Sequence, residues 1–318
     1  MLARRPYGAS GLEMSPVAYG AMGIAHDPGL KDGVAPSLIR ALERGVNLVD
    51  TARVYPGSEA IVAATLKAWR GDAPLISTKL RSADRDGYRF PVPLAQAYTS
   101  AGIRASVEES LAALQVETLD IVHMHQWHYA WTHELNWLTV LQDLKAEGKL
   151  RCIAVSVQDH EHDAALELVS RGLVDGVQVI VNLFESRPVN SLLPLAQARG
   201  VGVIARCIYD SGGLSGMLTA EDFAARTFLR HAPVALYRER AARLASSFTP
   251  HPAGDLAEQA LRFVLSLDGV STAALGLTDV ALMDRALDQA AKGPLAIADV
   301  ARLRREHVWS KNFYEALL

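Results

Sequence analysis

The sequence predicts a parallel (β/α)8 barrel, and three observations lead to that prediction. Eight short apolar runs rich in Val and Ile alternate with longer segments whose apolar residues recur at i, i+3, i+4 and i+7, the pattern of strands and amphipathic helices. Eight such units in 318 residues match the size of a closed barrel with right-handed crossovers. An open doubly wound sheet requires a Gly-x-Gly-x-x-Gly turn after its first strand, where this chain reads GAMGIAHD.

The predicted elements follow one another in a regular order. The strands are expected at 16–20, 46–50, 75–79, 119–125, 152–156, 176–181, 201–206 and 271–276. The helices are expected at 37–45, 59–69, 105–115, 135–148, 163–172, 191–200, 256–269 and 281–290, and several end in Gly. The stretch 207–254 is too long for a bare loop and is expected to carry a short helix around 234–246. No linker divides the chain, so one domain over 1–318 is expected.

The composition excludes several classes of protein. Half of the residues are hydrophobic and 21% are charged, which excludes a disordered or fibrous chain. With 32 basic and 35 acidic residues the net charge is -3, which argues against a nucleic-acid partner. No apolar run is long enough for a membrane span or a secretion signal. Cys152 and Cys207 lie in apolar runs and indicate the reducing cytoplasm, while the oligomeric state is not indicated.

Four polar residues stand where the predicted strands end. Asp50, Lys79 and His125 end the second, third and fourth strands, and Tyr55 follows Asp50 just before a helix. Chemistry in such barrels occurs at this end, and adjacent strand ends lie about 5 Å apart, so the four side chains converge on one mouth. A nearby ammonium favours the phenolate, which makes Tyr55 a usable proton donor or acceptor. The cluster therefore suits carbonyl reduction, in which a proton reaches the oxygen as a hydride reaches the carbon.

These motifs resemble the aldo-keto reductase superfamily nearly from end to end. The segment 7–23 is similar to the family's hairpin and first strand, and 45–59 is similar to its Asp…Tyr signature. The segments 77–80 and 119–127 are similar to its lysine and histidine motifs, and 200–216 is similar to the cofactor loop of one bacterial branch. The resemblance implies an N-terminal β-hairpin, a C-terminal helical extension and a nicotinamide cofactor bound without a Rossmann domain. It also implies a small-molecule carbonyl or alcohol substrate, such as an aldehyde, ketone or sugar. Tyr55 would be the proton donor, Lys79 and Asp50 would tune it, and His125 would orient the carbonyl.

The resemblance further implies a set of cofactor-binding residues around the mouth. These are Gly20, Ala21, Met22, Asp50, Ser156, Gln178, Arg206, Gly212, Gly213, Leu214, Gly216, Gly276, Thr278 and Arg285. Ser156 and Gln178 would lie near the nicotinamide amide, Arg206 would stack on the ring, and the 211–216 backbone would cradle the pyrophosphate.

The chain departs from the family pattern at two places. The usual Ser-Asn pair reads Ser156-Val157, and Leu282, Arg285 and Ala286 replace the basic or amide residue and the Glu-Asn pair that follow the last strand. Arg285 is the cation left for a 2′-phosphate, so NADP(H) is expected to be only weakly preferred over NAD(H).

Two alternatives stay open. With weak or no cofactor binding, the barrel would use Tyr55, Lys79 and His125 for non-redox acid–base chemistry as a lyase, dehydratase or epimerase, or act as a binding subunit. His123 and His125 share a strand face, as in some zinc hydrolases, but the later strands carry no matching His–Asp set, and no metal is expected.

Substrate specificity is expected to depend on the loops 80–98, 126–133 and 214–254. Arg81 and Arg85 in the first of these loops are candidate contacts for an anionic substrate group.

Overall fold

The computed structural model describes residues 2–83, 92–225, 234–247, 256–307 and 309. The strands are β1 Arg5–Pro6, β2 Glu13–Met14, β3 Val17–Gly20, β4 Leu48–Asp50, β5 Leu75–Lys79, β6 Leu119–Trp127, β7 Leu150–Val157, β8 Gly176–Ile180, β9 Gly202–Arg206 and β10 Thr272–Leu275. The α-helices are α1 Pro36–Glu43, α2 Ser58–Ala68, α3 Leu94–Ala97, α4 Ser100–Leu114, α5 Asn136–Ala146, α6 Leu166–Ser170, α7 Leu192–Arg199, α8 Ala220–Ala225, α9 Val234–Ser246, α10 Leu256–Leu265, α11 Val280–Ala291 and α12 Ile297–Glu306. Arg85 lies outside the described residues.

Strands β3 to β10 form a closed barrel in which every neighbouring pair is parallel. Strands β1 and β2 form a separate antiparallel pair, and α12 follows the last barrel helix. The predicted (β/α)8 barrel, its N-terminal hairpin and its C-terminal helical extension are therefore confirmed. In the register, Asp50 lies opposite Ser77 and Lys79 lies opposite His123, so these polar residues share one end of the barrel.

The helices and strands follow the predicted pattern with local differences. The predicted helix at 105–115 begins earlier, at Ser100, because the Thr99 side chain accepts a hydrogen bond from the Gly102 amide and caps that end. The predicted helix at 163–172 is a 3-10 turn, His162–Ala165, followed by the short α6. In the long segment after β9, α9 covers the residues where a helix was predicted.

The opposite end of the barrel is closed by the hairpin. Tyr7 is completely buried among the inward-facing side chains of the strands. A Cβ at Gly176 would lie 1.7 Å from the Tyr7 hydroxyl, and a Cβ at Gly202 would lie 2.1 Å from its ring. Two strand glycines thus make room for the tyrosine, which leaves the mouth at the carboxyl ends as the open side. Among the described residues, we find no helix with the length and hydropathy needed to span a bilayer.

Candidate active site

A buried ion pair forms the base of the mouth. The Lys79 ammonium donates to Asp50 Oδ2 at 2.7 Å and to the Thr51 carbonyl at 2.8 Å, and the lysine is only 1% exposed. Burial by itself would raise the pKa of Asp50, but the charge of Lys79, with help from His123 and Ser77, holds that pKa below its ordinary value. The carboxylate therefore stays ionised and fixes the ammonium at the end of β5.

Tyr55 and His125 complete the cluster above this pair. The Lys79 Nζ lies 5.3 Å from the centre of the Tyr55 ring, and the Tyr55 and His125 rings meet edge to face with centroids 6.2 Å apart. Burial, followed by the positive charges of Lys79 and Arg206, lowers the pKa of His125 to about 3. The imidazole is thus neutral at pH 7, with one N–H donor and one acceptor nitrogen. The four predicted catalytic side chains lie together.

The loop that carries Tyr55 is held at both ends. The hydroxyls of Thr51 and Ser58 lie 2.7 Å apart, and Ser58 donates to the Ala21 carbonyl at 2.9 Å. The Arg53 amide donates to the Lys79 carbonyl at 3.3 Å, and its guanidinium pairs with the buried Glu59 of α2. These contacts place the tyrosine over the ammonium before any substrate arrives.

Ser77 and His123 also contact this ion pair, and the sequence had not indicated that they would. The Ser77 hydroxyl donates to Asp50 Oδ1 at 2.7 Å and lies 3.0 Å from His123 Nε2. Because this hydroxyl has one hydrogen, we assign His123 the neutral tautomer that carries its proton on Nε2. Burial, with Lys79 second, lowers the pKa of His123 to about 4. The period of two along β5 and β6 was the available signal, since Ser77 precedes Lys79 by two residues and His123 precedes His125 by two.

The ends of β7, β8 and β9 carry the residues predicted for the nicotinamide. Ser156 donates to Gln178 Oε1 at 3.3 Å, whereas Gln178 Nε2 is buried with no partner in the described part of the chain. A buried donor without an acceptor costs about 1–3 kcal/mol, so this amide fits a ligand acceptor such as a carboxamide oxygen. Arg206 donates to Asp159 at 2.8 Å and to the Val157 carbonyl at 3.0 Å, which fixes its guanidinium between the ends of β9 and β7.

The loops after β3 and β10 meet on the other side of the mouth. Gly20 ends β3 opposite Asp50, and Ala21 and Met22 begin a 3-10 turn in which Met22 is 62% exposed. Gly276 is exposed beside them. A Cβ at Gly23 would lie 3.3 Å from the Thr278 side chain, so the two loops are in contact.

The residues predicted near the adenosine end of the cofactor differ from one another in burial. Leu282 is half-buried and Ala286 is buried, whereas Arg285 is exposed on α11. Burial raises the pKa of Tyr209, and the charge of Arg285 partly offsets that rise, which places the guanidinium near the loop that follows β9.

That loop, 210–216, has part of its backbone already bonded. The amides of Gly212 and Leu214 both donate to the Tyr209 carbonyl at 2.9 Å, and the Leu214 side chain is buried in the core. Binding of a pyrophosphate by Gly212, Gly213, Leu214 and Gly216 stays a prediction. Within the described ranges, no three His, Cys, Asp or Glu side chains are grouped so that they could hold a metal ion.

Fold and site together define a barrel enzyme with an ion pair, a tyrosine and a neutral histidine at its mouth. The chain belongs to the aldo/keto reductase family, whose sequence profile matches residues 16–306, and it is an oxidoreductase of that family. An aldo-keto reductase of Bacillus halodurans in its holo form has the same fold, with a TM-score of 0.77 at 22% identity over 98% of this chain and 99% of the other.

Several characterised enzymes are similar in sequence. L-galactose dehydrogenase of Arabidopsis thaliana is 30% identical over 212 residues, which is 63% of each chain and so less than two thirds of that relative. The NADH-specific methylglyoxal reductase of Escherichia coli is 27% identical over 68% of this chain and 70% of its own. The 6-dehydroglucose reductase of Novosphingobium aromaticivorans is 28% identical over 79% of this chain and 83% of its own.

Proposed function

We propose that the protein transfers a hydride between NAD(P)H and the carbonyl of an aldehyde, ketone or sugar, in either direction. The observation that carries this proposal is the position of Tyr55, whose ring lies 5.3 Å from the Lys79 ammonium and 6.2 Å from the His125 ring. An ionisable hydroxyl beside a fixed cation and a neutral imidazole is suited to give a proton to a carbonyl oxygen and to take it back.

Each of the four residues has a separate part in this proposal. Tyr55 donates its phenolic proton to the carbonyl oxygen, and the Lys79 ammonium stabilises the phenolate that is left. Asp50 and the Thr51 carbonyl hold that ammonium in place. His125 donates a hydrogen bond to the same carbonyl oxygen, where negative charge develops. A nicotinamide held beside Gln178 and Arg206 would supply the hydride for the carbonyl carbon.

The chain's own residues support a cofactor place beside this cluster. Gln178 Nε2, which has no hydrogen-bond partner among the described residues, can donate to the carboxamide oxygen, while Ser156 donates to the amide oxygen of the same side chain. The guanidinium of Arg206 is planar and is oriented by Asp159, so it suits stacking on the nicotinamide ring. Gly20, Gly276 and the 210–216 loop complete the rim.

We propose a slight preference for NADP(H), because Arg285 is an exposed cation near the loop that follows β9, where it could pair with a 2′-phosphate. The relatives named for L-galactose, methylglyoxal and 6-dehydroglucose support a small polar carbonyl or hydroxyl compound as the substrate. Both cysteines are free, which supports the reducing cytoplasm as the place where the protein acts.

The deciding experiment is titration of the purified protein with NADPH and with NADH, followed by quenching of tryptophan fluorescence. Saturable binding of either at micromolar concentration is the expected result, with the tighter constant for NADPH. An absence of binding of both at millimolar concentration would overturn the redox proposal and leave acid–base chemistry at Tyr55 and Lys79 without a cofactor.

A further inference from the structure

The 210–216 loop begins with an uncommon backbone conformation. Asp210, Ser211 and Gly212 follow one another with φ of 47°, 57° and 95°. The left-handed region costs about 1–2 kcal/mol for a residue other than glycine, so two such residues in a row persist only where their surroundings hold them. The contacts around Asp210 identify what holds them.

The carboxylate of Asp210 is buried and receives hydrogen bonds from two distant parts of the chain. The Tyr237 hydroxyl, on α9, donates to Asp210 Oδ2 at 2.5 Å. The Asn182 side-chain amide, just after β8, donates to Asp210 Oδ1 at 3.3 Å and to the Cys207 carbonyl at 3.0 Å. The start of the loop is thereby tied to the barrel on one side and to the inserted helix on the other.

Tyr237 also lies directly against the loop. A Cβ at Gly213 would stand 2.2 Å from its hydroxyl oxygen and 2.4 Å from the ring carbon that bears it, so only glycine fits there. The glycine is therefore required by the tyrosine, in addition to any ligand on the opposite face.

Two more aromatic side chains keep Tyr237 in place. Its ring centre lies 5.5 Å from that of Phe184, after β8, and 5.5 Å from that of Trp309, after α12. The Trp309 amide donates to the Phe184 carbonyl at 3.0 Å, and the Arg240 guanidinium lies 4.8 Å from the Trp309 ring centre. Tyr237 is only 1% exposed, so its hydroxyl has little freedom to move.

We propose that Tyr237 is a positioning residue for the cofactor. Its hydrogen bond to Asp210 holds the 210–216 backbone in the shape that receives the pyrophosphate of NAD(P)H. This inference rests on the proposed function and adds a role for the inserted helix α9. It assigns the helix to cofactor affinity and leaves the reacting atoms to Tyr55, Lys79 and His125.

The variant Tyr237→Phe tests the proposal because it keeps the ring and its packing while removing the donor. The dissociation constant for the preferred cofactor is expected to rise about tenfold, which is about 1.4 kcal/mol, close to the lower end of the range for a hydrogen bond to a charged group. At saturating cofactor, kcat is expected to stay within about twofold of wild type, because the acid–base cluster is untouched. Asp210→Asn is expected to weaken binding as well, and the double variant to add little to either single change.

Tyr19→Phe is the matched control. The Tyr19 hydroxyl is also buried, and its hydrogen-bond partner at 2.7 Å is the hydroxyl of Ser37 on α1. This variant is expected to bind cofactor as wild type does. Equal constants for wild type and Tyr237→Phe would overturn the inference, and so would a fall in kcat with unchanged binding. A wild-type protein that binds neither NADPH nor NADH would overturn the proposed function together with this inference.

Discussion

The imidazole of His123 lies 3.0 Å from the hydroxyl of Ser77, and that hydroxyl donates to the carboxylate of Asp50 at 2.7 Å. A completely buried neutral histidine therefore stands behind the Asp50–Lys79 ion pair. The hydrogen bond from Ser77 favours the ionised carboxylate, so the three residues together help to keep Lys79 paired.

Buried His123 is expected to make the fold sensitive to acid. Its pKa is lowered to about 4, so between pH 6.5 and 4 the unfolded chain binds a proton there that the folded chain does not. Stability therefore falls as the pH falls through this window, by about 1.4 kcal/mol per unit for this group. Between pH 6.5 and pH 5, the free energy of unfolding of His123→Leu is expected to fall by about 1.6 kcal/mol less than that of wild type.

Urea unfolding of both proteins at the two pH values measures this difference. His133→Leu, at a histidine whose side chain is 76% exposed, is the control and is expected to follow wild type. The same acid-induced loss in wild type and His123→Leu would contradict the prediction.

Tyr55→Phe is expected to remove the proton donor and keep the ring. Turnover should fall by about 10²–10⁴-fold, the usual contribution of a positioned acid–base group. The cofactor dissociation constant should change by less than about twofold, because the hydroxyl serves the substrate carbonyl. Steady-state reduction of a simple aldehyde and the fluorescence titration give the two values, with Tyr19→Phe as the control. Full activity of the Tyr55→Phe variant would contradict the proposed role of Tyr55 as proton donor.

Lys79→Met is expected to leave Asp50 buried without its cation. Removing one partner of a buried pair costs about 3–5 kcal/mol, so the variant should unfold at clearly lower denaturant concentration. Adding Asp50→Asn removes the uncompensated charge and should recover part of that stability, whereas activity should stay lost because no ammonium faces Tyr55. Chemical unfolding and turnover of both variants check this split; recovered activity in the double variant would refute the role of Lys79.

Gly176→Ala is expected to conflict with Tyr7 at the closed end of the barrel. The added Cβ would lie 1.7 Å from the Tyr7 hydroxyl and 2.4 Å from the ring carbon beside it. Overpacking of this kind costs about 1–3 kcal/mol or more. In a Tyr7→Leu background the same change should cost measurably less, so a double-mutant cycle by thermal or urea unfolding should give a clear coupling energy. Simple additivity would mean that the two residues do not compete for space.

Arg285→Gln is expected to change the choice between cofactors. If its guanidinium meets the 2′-phosphate, the dissociation constant for NADPH should rise about fivefold to tenfold while that for NADH stays the same. Arg238→Gln, an exposed cation on α9, is the control. An equal change in the dissociation constants for NADPH and NADH would show that Arg285 does not bind the 2′-phosphate.

Local pattern predicted most of the fold because each of the eight barrel strands is a short apolar run rich in Val and Ile, whereas the helices between them show an apolar period of 3 to 4 residues. The residues Asp50, Lys79 and His125 were found for a related reason. Asp50 and Lys79 end buried strands and His125 lies two residues before the end of β6, where packing by itself would favour apolar side chains, and in a barrel those ends share one mouth. Tyr55 followed from its place between such a residue and a helix.

Which distant residues contact each other was decided by tertiary structure. Tyr237 and Asp210 are 27 residues apart in the chain, and the apolar pattern within each segment carries no signal of a contact between the two side chains. Tyr7 meets Gly176 and Gly202 only because the hairpin folds under the barrel. Sequence by itself therefore determined the barrel and which polar side chains come together at its mouth. Only the folded chain decided which hydroxyl, amide and aromatic ring hold them, because those contacts depend on distances that chain closure creates.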